Sequence, residues 1–303
     1  MTVTRRTLFQ IGIAAAIGTS RPGFADAPAL LTRAIPSTGE KLPVIGLGTN
    51  RYGVTAPAEV AARREVLRRM PELGATVIDT APAYGASEEV IGRLLSELKN
   101  RARVWLATKV TAPSGRPAEG RKMLEDSFRR LRTERIELVQ VHSLQGVREM
   151  LPVLREQKKA KRLSYVGVTT SRDAQYSELL EVMQREQLDF IQVDYSIADR
   201  NAADKILPLA ASRGMAVLVN LPLGRGNALA KVKDRPLPAW AAEVDAASFP
   251  RLFLKYVVSH PAVTVAIPGT TKVEHLEDNL GAARGRLPDA EMRRRIEQLF
   301  DAL

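Results

Sequence analysis

Eight short apolar runs, spaced through the chain from Val44 to Ile267, constrain the fold more than any other feature of this sequence. They are Val44–Gly48, Thr76–Asp79, Val104–Thr108, Leu138–Val141, Ser164–Val168, Phe190–Asp194, Ala216–Asn220 and Thr264–Ile267. Most are nearly continuous in apolar residues rather than strictly alternating, which is the pattern of strands covered on both faces. Stretches of helical period lie between them, among them Ala58–Leu73, Ser87–Leu98, Ala118–Arg132 and Gln175–Glu186. Strand and helix in alternation predict an α/β fold with a parallel sheet wrapped by helices. Eight such strands predict a closed (β/α)8 TIM barrel, and 303 residues hold one barrel of about 250 residues with extensions. Ahead of the first run, Thr32–Leu42 has a polar turn between two short extended pieces and predicts a hairpin capping the bottom of the barrel. Asp289–Leu303 predicts an extra C-terminal helix, and Pro222–Ala247, which has no clear period, predicts a long loop over the mouth.

Three consecutive runs end in titratable groups. Asp79 closes the second run and Tyr84 follows it in the turn Asp79-Thr-Ala-Pro-Ala-Tyr84-Gly. Lys109 follows the third run and His142 the fourth. These are the carboxyl ends of the strands, where α/β barrels keep their chemistry. A free tyrosine, with a pKa of about 10, is a poor acid at neutral pH. An ammonium within hydrogen-bonding reach favours tyrosinate, and a carboxylate beside the ammonium holds it in place. A phenol so placed can protonate a carbonyl oxygen while hydride arrives at the carbon, and a histidine on the next strand can orient that oxygen. A single buried Asp–Lys pair, or a lone Tyr after a strand, is more often structural. Four polar groups ending three successive hydrophobic strands are harder to assign to packing, because unpaired burial is costly.

The segment Gly74–Leu95, containing Asp79, Tyr84 and Glu88, resembles the signature of the aldo/keto reductase superfamily, and Thr108-Lys109 and Val141-His142 resemble its next two motifs. The likeness extends from about Leu42 to about Ala283. It implies a barrel that binds NADP(H) without a Rossmann domain, with Asp79, Tyr84, Lys109 and His142 as the catalytic tetrad. The same resemblance places Gly48, Thr49 and Asn50 near the nicotinamide and makes Gln192 the amide that hydrogen-bonds the carboxamide. Thr169 and Thr170 occupy the place where the family usually has Ser-Asn, so the second position loses an amide. Asn220 falls where an aromatic residue commonly stacks on nicotinamide. Leu221 is a partial substitute at most, and Pro222, Leu223 and Gly224 continue that segment. In Ile267–Asn279 a strand ends and a helix begins, so backbone N–H groups and the helix dipole favour phosphate. Gly269, Thr270, Thr271 and Lys272 fall there, Lys272 as the 2′-phosphate contact. His275 stands where the family often has arginine, and Asp278 and Asn279 match positions near adenine. NADPH is expected over NADH. No dinucleotide fingerprint is present, since Gly46-Leu-Gly48 lacks its third glycine, and no Walker sequence appears.

The chain has no cysteine, which excludes disulfides, thiolate nucleophiles and thiolate metal sites. Its three histidines, His142, His260 and His275, lack ligand spacing, so no metal is expected. The net charge of +11 comes with runs such as Arg63-Arg64, Arg129-Arg130 and Arg293-Arg294-Arg295 on helical stretches. With aromatics at 5%, no clustered stacking surface for nucleic acid is expected, and most of the charge reads as solvated helix surface.

The N-terminus carries a separate signal. Arg5-Arg6 precede a modestly apolar stretch, Ile11–Gly18, and then the small-x-small triplet Ala25-Asp26-Ala27. Residues 1–27 read as a twin-arginine export signal, leaving 28–303 as a single barrel domain that is periplasmic after cleavage. The apolar stretch is too short for a stable membrane span. The expected partners are therefore a small-molecule carbonyl substrate and the twin-arginine export machinery. Fractionation that finds a full-length cytosolic product contradicts the export reading. Two further functional readings compete with carbonyl reduction: a non-catalytic nucleotide-binding accessory subunit on the same barrel, and a Schiff-base lyase using Lys109. The lyase is disfavoured because Asp79 keeps Lys109 charged. Oligomeric state is open.

Overall fold

The computed structural model describes residues 29–303. The export segment read at residues 1–27 lies outside the described residues. An antiparallel hairpin comes first, β1 (Thr32–Ala34) with β2 (Lys41–Pro43), paired Thr32 to Pro43 and Ala34 to Lys41. The barrel strands follow: β3 (Leu47–Gly48), β4 (Val77–Asp79), β5 (Trp105–Val110), β6 (Ile136–Val141), β7 (Leu163–Thr169), β8 (Phe190–Asp194), β9 (Ala216–Asn220) and β10 (Val265–Ala266). Neighbours in sequence are neighbours in the sheet and every pair is parallel. Bridges from Ile45 to Ala266 and from Gly48 to Gly269 join the two ends and close the barrel. That closure needs Gly48, because a Cβ there would stand 2.7 Å from the Ile267 carbonyl oxygen.

The helices are α1 (Pro57–Glu72), α2 (Ser87–Glu97), α3 (Pro117–Leu131), α4 (Val147–Lys159), α5 (Tyr176–Arg185), α6 (Ile206–Ser212), α7 (Asn227–Lys231), α8 (Phe249–Val258), α9 (Val273–Gly281) and α10 (Ala290–Asp301). Strand residues alternate between two cores. Ile45, Ile78, Leu106, Val139, Val166, Ile191 and Val217 face outward and pack with the helices. Val77, Trp105, Leu138, Tyr165, Phe190, Ala216, Leu218 and Val265 face inward, joined from below by Ile35 and Leu42 of the hairpin. The Tyr165 hydroxyl reaches out of the bottom to Thr38 Oγ1 (2.8 Å) and donates to Glu40 Oε2 (2.5 Å), tying the hairpin turn to the barrel.

The eight-stranded parallel barrel, the capping hairpin and the C-terminal helix all stand where the sequence pattern puts them, with element ends shifted by one to three residues. The stretch Pro222–Ala247 differs. It is not a plain loop: it folds into α7 and short 3-10 turns at Gly224–Gly226 and Ala239–Val244. Elements this short are set by tertiary contacts rather than by a period of their own. In each of the arginine runs one member turns inward while its neighbours stay exposed. Arg63 is buried and donates to the Arg51 carbonyl (3.0 Å), and Arg130 pairs with Glu88 (2.7 Å). Arg293 bridges Ser259 Oγ (2.7 Å) and the Tyr195 hydroxyl (2.6 Å). Among the described residues no helix is long and apolar enough to cross a membrane.

Candidate active site

The interior of the barrel changes character toward its carboxyl end. Above the aromatic layer of Trp105, Tyr165 and Phe190, the inward positions become Asp79, Lys109, Gln140, Gln192 and Asn220. Lys109 Nζ donates to Asp79 Oδ2 at 2.7 Å and to the Thr80 carbonyl at 2.9 Å, and both side chains are almost fully buried. Burial alone disfavours the ammonium. Asp79 and then Tyr84 outweigh it, so the Lys109 pKa is held above its ordinary value and the side chain stays charged.

Tyr84 lies in the turn between β4 and α2, half-buried, with Lys109 Nζ 5.0 Å from its ring centroid. The turn is fixed from several sides. Tyr84 N–H donates to the Ala81 carbonyl (3.1 Å), and Ser87 Oγ joins Thr80 Oγ1 (3.0 Å) and the Thr49 carbonyl (3.0 Å). The segment after β3 presses directly on it at Gly53, where a Cβ would meet the Tyr84 carbonyl oxygen at 2.6 Å. His142 follows β6, and its ring meets Tyr84 edge-on with centroids 6.2 Å apart. Burial, followed by the charge of Lys109, pushes its pKa down to about 4, so the imidazole is neutral at physiological pH. The next two residues, Ser143 (φ 51°) and Leu144 (φ 59°), are both left-handed, and Gln175 Nε2 clamps the Ser143 carbonyl at 2.8 Å. Strain concentrated beside a catalytic candidate and held by a dedicated hydrogen bond is characteristic of functional sites.

The residues expected to hold a dinucleotide fall into three groups. Gly48, Thr49 and Asn50 meet the loop after β10, where Gly269 stands 3.3 Å (as a would-be Cβ) from Asn50 Oδ1. Thr49 is buried, and its hydroxyl donates to the Asp79 carbonyl (2.8 Å), so it supports the strand end that carries Asp79. Thr169, Gln192 and Asn220 lie at the mouth on β7, β8 and β9, and Thr170 directly follows β7. Beyond them Leu221 (φ 49°), Pro222, Leu223 and Gly224 form a tight turn closed by Gly224 N–H to the Leu221 carbonyl (2.8 Å). In the third group, Lys272 is exposed at the start of α9, with Thr271 half-buried and Thr270 buried beside it, and His275 is exposed one turn on. Asn279 is buried. The Asp278 carboxylate is engaged by Arg251 Nε (2.8 Å) and Ser248 Oγ (2.8 Å).

Several residues of the site are not evident from the sequence alone. Glu88 reads there as an acid in the first turn of a helix. In the fold it is fully buried, accepts from Thr108 Oγ1 (2.5 Å) next to Lys109, and is paired with Arg130. Gln140, Gln175 and Arg251 likewise enter through contacts between distant segments, for which a single sequence carries no signal. The carboxylates of Asp173, Asp194 and Asp199 converge near the mouth, and Tyr176 and Asn201 donate to two of them.

The family model described as the aldo/keto reductase family matches residues 44–299. The chain belongs to that family. It is 31% identical over 265 residues to the methylglyoxal reductase YeaE of Escherichia coli, covering 83% of this chain and 89% of the relative. Among solved structures it resembles an aldo-keto reductase from Klebsiella pneumoniae in complex with NADPH (25% identity, TM-score 0.75, 90% and 96% of the two chains). It also resembles the holo form of aldo-keto reductase AKR11C1 from Bacillus halodurans (25% identity, TM-score 0.73, 89% and 96% of the two chains). As a member, the protein is an oxidoreductase built on a (β/α)8 barrel.

The mouth fits a nicotinamide cofactor. Buried Gln192 Nε2 and Asn220 Oδ1 have no partner among the described residues, as expected of groups that await a polar ligand. Gly48 and Gly269 leave the neighbouring rim without side chains.

Proposed function

We propose that this protein reduces an aldehyde or ketone to the alcohol with NADPH, using Tyr84 as the general acid. The observation that carries the reading is the buried Lys109–Asp79 pair standing beside Tyr84 and a neutral His142 at the carboxyl end of the barrel. When bound, the cofactor supplies hydride to the carbonyl carbon. The chain supplies the rest. Tyr84 gives its hydroxyl proton to the carbonyl oxygen, and the Lys109 ammonium stabilises the charge that develops on the phenolic oxygen. Asp79 and the Thr80 carbonyl hold that ammonium in place, so it requires no reorganisation during the step. His142, being neutral, orients the substrate oxygen through a ring N–H and does not deliver the proton. Lys272, with Thr270 and Thr271 at the start of α9, offers the 2′-phosphate a cation and backbone donors, which favours NADPH over NADH.

The presence of NADPH in the Klebsiella pneumoniae structure and the activity named for YeaE support the cofactor and a small carbonyl as the first substrate to test. Tyr84→Phe is expected to lower the rate of NADPH oxidation with methylglyoxal or another carbonyl by about 10²–10⁴. The dissociation constant for NADPH, read by fluorescence titration, is expected to stay the same. Full activity in that variant removes Tyr84 from the mechanism.

A further inference from the structure

At the carboxyl end of β9, one buried acceptor has no partner among the described residues. Asn220 Nδ2 donates to the Thr170 carbonyl at 3.0 Å, which fixes the direction of the side-chain amide. Asn220 Oδ1 is then buried without a donor among the described residues. On the adjoining strand, Gln192 Oε1 accepts from Gln140 Nε2 (3.3 Å), and Gln192 Nε2, which faces the Asp79 carboxylate, has no acceptor at hydrogen-bond distance among the described residues. Gln192 pairs in register with Leu218, so Asn220 stands two residues further toward the mouth on the same inward face. That is a step of about 6–7 Å along the strand. The site therefore presents a fixed acceptor one step above a fixed donor.

The neighbours do not resolve the mismatch. Thr170 is engaged through its hydroxyl, which donates to Gln175 Oε1 (2.7 Å), and through its N–H, which donates to the Gln192 carbonyl (3.0 Å). A buried polar group left unsatisfied costs more than a typical hydrogen bond contributes. Both orphan atoms sit at the end of the barrel through which a ligand enters.

We infer that Asn220 is a specificity-determining residue for the cofactor: its Oδ1 accepts from the carboxamide N–H of the nicotinamide, while Gln192 Nε2 donates to the carboxamide oxygen. The inference rests on the NADPH reading above. The carboxamide is the one substituent on the carbons of the nicotinamide ring that carries both a donor and an acceptor, which is what the two orphan atoms require together. An acetyl group in its place keeps the oxygen for Gln192 and offers Asn220 nothing. The side chain at 220 thus reads the ring substituent and restricts the ring to the orientation in which both bonds form.

The test is fluorescence titration of the full protein with NADPH and with its 3-acetylpyridine analogue in the reduced form. The wild-type protein is expected to bind the analogue about tenfold more weakly, the effect of one buried acceptor left unpaired. In Asn220→Ala the two dissociation constants are expected to converge, because the contact that separates them is gone. Adenosine 2′,5′-bisphosphate, which lacks the nicotinamide, should bind both proteins equally and confirms that the variant is folded. Asn220→Ser provides the same comparison should the alanine variant not fold. Equal affinity for the two dinucleotides in the wild type overturns the inference, as does a preference that persists in the folded variant. Failure of the wild type to bind NADPH or the bisphosphate overturns the cofactor reading itself and is distinguishable from both.

Discussion

The two ends of this barrel are built from the same strands and solve opposite problems. At the bottom, Trp105, Tyr165 and Phe190 pack within ring-centroid distances of 5.4–6.0 Å, and the hairpin closes over them. A few residues along β5 and β8, the inward positions become Lys109 and Gln192, and the left-handed residues Ser143, Leu144 and Leu221 follow the ends of β6 and β9. Four side-chain atoms at the mouth end, on Asp79, Gln140, Gln192 and Asn220, are buried without a partner among the described residues. The bottom is satisfied apart from Trp105 Nε1, and the unpartnered buried polar atoms of the described residues gather mainly at the mouth. Such violations are expected where function, rather than stability, selects the residue. The comparison makes a concrete claim: bottom substitutions change stability, whereas mouth substitutions change chemistry, or both where they strand a charge.

The largest expected effect is at the mouth. Lys109→Met leaves Asp79 buried without its counter-ion, for which a loss of about 3–5 kcal/mol of stability is expected. Carbonyl reduction should fall by about 10²–10⁴ as well, since the developing charge on Tyr84 loses its stabiliser. Adding Asp79→Asn should recover stability without recovering activity, because the stranded charge is then gone. Urea midpoints and steady-state rates on the two variants check this, and recovery of both together would break the comparison.

Next is the bottom. Phe190→Ala opens a cavity between Trp105 and Tyr165, for which a stability loss of about 3–5 kcal/mol is expected. The folded fraction should turn over substrate at the wild-type rate. A large fall in that rate, with the urea midpoint unchanged, would show that the aromatic layer serves the chemistry after all.

The same division governs what the sequence discloses. Strands buried on both faces advertise themselves as continuous apolar runs, so β8 and β9 are bounded in the sequence where they lie in the fold. Asp79, Tyr84, Lys109 and His142 are legible because each closes or follows such a run. Glu88 and Arg130 are not, because their pairing joins residues 42 positions apart and each alone resembles a solvated helix residue. Helix α8 has seven buried residues in a ten-residue span, Phe249–Val258, and so shows no polar face from which a period could be read. Asn220 is visible only as a departure from a family pattern. That its Nδ2 is committed to Thr170 and its Oδ1 is free is a three-dimensional fact.

The smallest expected effect uses the histidine at each end. His142 lies at the mouth. His260 lies at the bottom, where its carbonyl accepts from Arg33 at 2.9 Å. Both are pushed down to about 4, His142 by burial and then Lys109, His260 by burial and then Arg293 and Arg33. In the unfolded chain both ionise near about 6.5. Between these values the unfolded state binds protons that the folded state does not, so stability rises with pH across the window and is lost as pH falls from about 6.5 toward 4. Above about 6.5 neither ring contributes. His142→Gln and His260→Gln should therefore each flatten the fall in urea midpoint between about pH 7 and pH 5, and the double variant should flatten it further. Only His142→Gln should also slow carbonyl reduction at pH 7, because only that ring stands against Tyr84. An equal loss of rate in His260→Gln would erase the distinction between the two ends.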